Sequence, residues 1–141
     1  PAALALVAAL ALPAGCGRPE PRPAHHGADG LVVATSDSAY AGDVLFARRS
    51  TVVWYTARGS IPCALIGPHV AKLAQACRGR IVFWKLDVGA SGRMPHYGIT
   101  SVPTLILYRR GTEVARAVGL PLPATDDSLR RFVAPAMGGG R

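Results

Sequence analysis

Tyr97-Gly98-Ile99-Thr100-Ser101-Val102-Pro103-Thr104-Leu105 is the stretch from which the fold is read. A proline after a β-branched residue holds that residue extended and cannot itself donate to a ladder, so Val102-Pro103 reads as a turn that opens a strand. The strand runs from Thr104 to Tyr108. A second strand, Glu113 to Val118, follows Arg109-Arg110-Gly111, which has the length of a hairpin connection.

Upstream, Ser50-Thr51-Val52-Val53-Trp54-Tyr55-Thr56-Ala57 is β-branched and aromatic throughout, as a buried central strand should be. Arg80 to Asp87 reads as another strand and Leu31 to Ala34 as a short one. Thr35 to Asp37 supplies caps for a helix to about Ala47. Ser60 precedes a helical pattern in which Leu65, Ile66, Val70, Leu73 and Ala74 recur at three- and four-residue spacing, ending near Arg78-Gly79. Pro68 lies inside it and predicts a bend. Ser91 to Gly98 reads as a short helix or turn, and Thr125 to Val133 as a last helix. The order β-α-β-α-β-α-β-β-α predicts an α/β domain with a mixed central sheet and helices on both faces.

With 141 residues, half of them hydrophobic, the chain has material for one core. Sixteen basic residues against eight acidic ones give a net charge of +8, scattered from Arg18 to Arg141 with no run that suggests a nucleic-acid arm. No nucleic-acid partner is expected. Residues 2–12 are continuously apolar, too short for the ~20 residues of a membrane span but of the length of an export signal's apolar core. No basic region precedes them after Pro1, so a start further upstream is expected. Leu12-Pro13-Ala14-Gly15-Cys16 resembles the lipobox of bacterial lipoproteins, with Pro13 where Leu is usual. The segment 1–16 is thus expected to export the chain and to leave Cys16 as a lipidated anchor in the periplasm or at the cell surface. Ordinary cleavage, giving a secreted chain, and an uncleaved anchor are the alternatives. Residues 17–30 are proline-rich and read as a flexible spacer, and 135–141 as a disordered tail.

The folded part, 31–134, resembles the thioredoxin family. Tyr97 to Leu105, followed by Gly111 and Gly119, matches its pattern nearly residue for residue, Pro68 matches its helix-kinking proline, and Cys63 matches the second cysteine of its Cys-x-x-Cys motif. The resemblance implies a thioredoxin-like fold and a cis Val102–Pro103 bond. It also implies a groove at Val102, Pro103, Ile61, Pro62 and Gly119 that takes extended or cysteine-containing polypeptides, together with a redox partner protein.

Ser60 stands where the family has its nucleophilic cysteine, so the motif reads Ser60-Ile61-Pro62-Cys63. Dithiol chemistry needs a first thiolate to attack and a second thiol to resolve, and a hydroxyl can do neither. Trp54 replaces the buried aspartate that assists the second cysteine, and Gly59 the tryptophan before the motif. Lys85 matches the lysine beside that aspartate and, without it, is expected to point to solvent. Ser60 can cap the following helix. The catalytic candidates are Cys63 and Ser60, with two readings open for Cys63: a monothiol that exchanges with other thiols, or an inert core cysteine in a redox-silent binding module. A peroxiredoxin-like Thr-x-x-Cys analogy lacks that motif's leading proline. Cys77 follows Cys63 by 14 positions on one predicted helix, about 21 Å, beyond the ~7 Å limit of a disulfide. His25 and His26 stand together without another ligand, and His69 and His96 are far apart in sequence. Asp43, Asp87, Asp126 and Asp127 read as turn or helix-end residues, so no metal and no cofactor is expected.

Overall fold

Seven residues of nearly unbroken burial, Ser50–Thr56 (β2), form the middle of the sheet, because β2 is flanked on both sides and covered on both faces. The coordinates are a computed structural model that describes residues 30–89, 92–119 and 126–138. The other strands are Val32–Ala34 (β1), Ile81–Asp87 (β3), Thr104–Arg109 (β4) and Thr112–Val118 (β5), in the order β1-β3-β2-β4-β5. β3 pairs parallel with β1 and β2, whereas β4 pairs antiparallel with β2 and β5, so the sheet is mixed, as predicted. The β4–β5 turn is two residues, Arg110 and Gly111, both at positive φ, the backbone of a type I′ hairpin.

Alternation along the strands divides the core in two. Val52, Trp54, Phe83, Leu105 and Leu107 face the helices Ile61–Ala76 (α1) and Asp126–Met137 (α2), which meet them with Cys63, Ile66, Val70, Leu73, Leu129 and Val133. Val53, Tyr55, Trp84, Leu86, Ile106 and Tyr108 face the other way, under Val44, Tyr40, Ile99, Met94 and Tyr97. Among the described residues both α-helices thus share one face. The second face is covered by two short helical segments, Ala41–Leu45 and Met94–Tyr97.

The helix predicted to run to Ala47 is therefore reduced to a wide turn closed by Phe46 N–H donating to the Ala41 carbonyl at 2.9 Å. Gly42 weakens a regular helix there, and Tyr40 is anchored elsewhere. Its hydroxyl forms a closed triangle with those of Tyr55 and Tyr108, each side 2.9 Å. Burial, and then those bonds, push the Tyr55 phenol far up, so it stays neutral. Thr35 does not cap this segment; its hydroxyl donates to Asp43 at 2.7 Å.

α1 continues through Pro68 to Ala76, and Gly79 turns the chain at φ 79°. α2 runs to Met137 rather than ending near Val133, because Ala136 and Met137 pack on the core and hold the last turn beyond Pro135. Part of the predicted tail 135–141 is therefore helix. The apolar segment 2–12, Cys16, residues 17–29 of the spacer and the adjacent His25 and His26 within it lie outside the described residues. No described helix is long and apolar enough to cross a membrane.

Candidate functional site

β2 delivers the chain to the site. After Thr56 a tight turn closes with Ser60 N–H donating to the Ala57 carbonyl at 3.1 Å, and Gly59 takes φ 80° within it. Ser60 is extended and begins α1: its Oγ accepts from the Cys63 N–H, at 3.5 Å a long and weak cap. Pro62 sits in the first turn, where its missing N–H has no partner to lose. Cys63 points inward, only 3% exposed, into the cluster of Val52, Trp54 and Ile66, while Ile61 beside it is 73% exposed.

The Val102–Pro103 bond is cis. Thr104 pairs with Tyr55, so Pro103 lies at the end of β2 from which the chain departs for Ser60. The Pro103 carbonyl accepts from Gly119 N–H at 2.9 Å, and Thr104 Oγ1 donates to the Ser101 carbonyl at 2.8 Å. Val102 is half-buried and packs on the cluster that contains Cys63. Ser60, Ile61, Pro62, Cys63, Val102, Pro103 and Gly119 thus gather at one end of the sheet.

On the other flank of Cys63 a groove of ≈ 620 Å³ opens between α1 and the β1–β3–β2 edge. Cys63, Ser60 and Ala64 line it from the helix; Trp54 and Thr56 of β2, Lys85 and Asp87 of β3, and Thr35 and Arg58 line it from the sheet side. Lys85 is exposed, as expected, and its Nζ stands 5.0 Å from the centroid of the ring of Trp54, its register neighbour. The ring edge also reaches Gly67, where an added Cβ would lie 3.4 Å from it. The Trp54 indole N–H is buried with no acceptor among the described residues. Asp87, expected only as a turn residue, stands on the groove wall with Oδ1 accepting from Gly89 N–H at 3.1 Å. The groove itself was not anticipated. Its one legible signal is strand parity, which puts residues 54 and 56 on the same face as 85 and 87.

The remaining candidates fall elsewhere. Cys77 is at the far end of α1 as its C-cap, buried and free, and burial pushes its thiol up against the opposing pull of Arg130 and Arg80. It cannot reach Cys63. His69, far from any acid in sequence, meets Asp126 of α2 at 3.1 Å, and Lys72 binds the same carboxylate. Lys72 first and His69 second hold the Asp126 carboxyl below its ordinary range. His96 lies edge-on to Tyr97. No three His, Cys, Asp or Glu side chains cluster as metal ligands among the described residues.

Residues 31–134 match the family model described as thioredoxin. Thioredoxin from Pseudomonas aeruginosa is 32% identical over 89 residues, 62% of this chain and 82% of that protein. The M-type chloroplast thioredoxin of Brassica napus is 33% identical over 100 residues, 70% of this chain. The chain spans 56% of that relative and only 20% of the bifunctional thioredoxin reductase/thioredoxin of Mycobacterium leprae, to which it is 30% identical. Thioredoxin f from spinach chloroplast superposes with a TM-score of 0.67 at 22% identity, covering 78% of this chain and 89% of that one, a likeness of fold. With this sheet order and the cis proline at the end of β2, the chain belongs to the thioredoxin family.

Proposed function

We propose that this domain binds extended, cysteine-containing or partly unfolded polypeptides along the Val102–Pro103 edge, and that its own chemistry is limited to a single thiol, Cys63. The observation that carries this reading is Ser60 as the N-cap of α1: the position that would hold an attacking thiol has a hydroxyl in a structural role. Cys63 would then give one exchange step. Its thiolate attacks a substrate disulfide, a mixed disulfide forms and one substrate thiolate leaves; with no second sulfur at hand among the described residues, release needs an external thiol. A redox-silent module is the second reading, favoured by the near-complete burial of Cys63.

The polypeptide reading is tested with a fluorescent unfolded peptide and the full chain. Ile61 is the most exposed apolar side chain of the α1 start. Covering it is worth ~1.5–3 kcal/mol, so Ile61→Asp should weaken binding about tenfold in anisotropy titrations. Wild-type protein that ignores the peptide, or an unchanged Kd in the variant, removes the reading.

We also infer, from residues 2–16, an exported chain anchored through Cys16. Radiolabelled palmitate fed to a bacterial host should label the full chain and not Cys16→Ser, which should be released from membranes. Label that persists on the variant refutes the anchor.

A further inference from the structure

The groove beside Cys63 is a second approach to the thiol, separate from the polypeptide edge at Val102–Pro103, and its chemistry is different. Its apolar floor is Trp54, Ala64 and Gly67; its polar groups are two cations, Lys85 and Arg58, the hydroxyls of Thr35, Thr56 and Ser60, and one carboxylate, Asp87. Among the described residues neither cation has a carboxylate within ion-pair distance. Lys85 is instead steered over the indole ring, which leaves its charge uncompensated at the groove. Asp87 subtracts from the field, but one of its oxygens is already bound to Gly89. Trp54, 7% exposed, contributes its ring to the same wall. A volume of ≈ 620 Å³ has room for a small molecule.

We propose that this groove binds a low-molecular-weight disulfide that carries a carboxylate, its anionic end toward Lys85 and Arg58 and its sulfur toward Cys63. The inference goes beyond polypeptide binding and rests only on the reading of Cys63 as an exchanging thiol. In the step it implies, Cys63 loses its proton and attacks one sulfur of the ligand; the ligand's S–S bond breaks as the Cys63–ligand disulfide forms. Cys63 is thereby oxidised, and the departing half is reduced and leaves as a thiolate that takes up a proton.

Three near-isosteric probes separate charge from reactivity: 3,3′-dithiodipropionate (anionic), 2-hydroxyethyl disulfide (neutral) and cystamine (cationic). Each is incubated with the folded full chain, and mixed disulfide at Cys63 is followed by site-resolved mass spectrometry, with rates divided by those for the same chain unfolded in denaturant. The anionic probe should then react about tenfold or more faster than the cationic one, an advantage that high salt erodes. Lys85→Glu should abolish or reverse the order, whereas Arg131→Glu, the same charge change on the exposed face of α2, should keep it. Equal normalised rates, an order that survives Lys85→Glu, or no modification of folded Cys63 by any probe overturns the inference. Absence of any modification would remove the exchanging thiol as well, whereas a lost charge order with Cys63 still modified removes only the anion site; the peptide titration is independent of both.

Discussion

Ser60→Cys should convert the protein into a disulfide reductase, raising its rate of insulin reduction in dithiothreitol about tenfold or more above the wild-type background. Positions 60 and 63 lie on one side of the first turn of α1, where Cα atoms three residues apart stand ~5 Å from each other, inside the ~4.4–6.8 Å that a disulfide spans. The Ser60 backbone is already fixed by its bonds to Ala57 and Ala64, at 3.1 Å each, and exchanging oxygen for sulfur disturbs neither. The introduced thiol gains the favourable end of the helix dipole and partial exposure, both of which promote a thiolate. Cys63, buried behind it, takes the resolving role. The gain is capped by Trp54, which puts an indole beneath Cys63 in place of a proton acceptor. Turbidity assays of the two proteins, with mass spectrometry of the oxidised variant, decide the matter. A 60–63 disulfide with insulin reduction still at background would show that the groove does not present substrates to this end of α1. A wild-type rate equal to the variant's would end the reading of Ser60 as the missing nucleophile.

The residues that made the fold legible are those whose neighbours along the chain decide their structure. β2 is apolar on both faces because it is central, so its run of Val, Trp and Tyr reads as a buried strand from sequence. Ser60 caps because it precedes a helical pattern, and Arg110-Gly111 turns because two strand-like runs flank it. The cis state of Pro103 came through the resemblance, not from Val102-Pro103 itself, which alone reads as an ordinary turn. What escaped reading is non-local. Tyr40, where the short helical segment begins, is held by hydroxyls 15 and 68 positions away that close a triangle with it. Lys85 is exposed as expected, but its place beside the Trp54 ring comes from the strand register, which no local pattern announces. The groove draws its lining from β1, β2, β3 and α1, and only the parallel β2–β3 register brings Thr56 and Asp87 to one wall. α2 outlasts its expected end for a similar reason: Pro135 is a local stop signal, overridden by Ala136 and Met137 packing on the core.

Gly111→Ala should be the most damaging single-methyl change in the described residues, costing about 3 kcal/mol or more in chemical denaturation, against about 1 kcal/mol for Gly79→Ala. Both glycines have the same left-handed backbone, φ 77° and 79°, a conformation that costs an L-residue roughly 1–2 kcal/mol. They differ in what a Cβ would meet. At Gly79 there is nothing within 4 Å, so the backbone term acts alone. At Gly111 the Cβ would sit 2.1 Å from the carbonyl oxygen of Leu45 and 2.9 Å from its carbon, backbone atoms that cannot rotate away. Relief requires the 41–46 segment to lift from the hairpin, and that segment carries Val44, fully buried against the second face, with Tyr40 of the hydroxyl triangle just before it. The cost is therefore a clash plus the packing lost in escaping it, the kind of overpacking that typically adds 1–3 kcal/mol. Urea denaturation of both variants gives the comparison directly. Equal losses would mean that the 41–46 segment is not seated on the β4–β5 turn, and with it would go the account of how the second face of the sheet is covered.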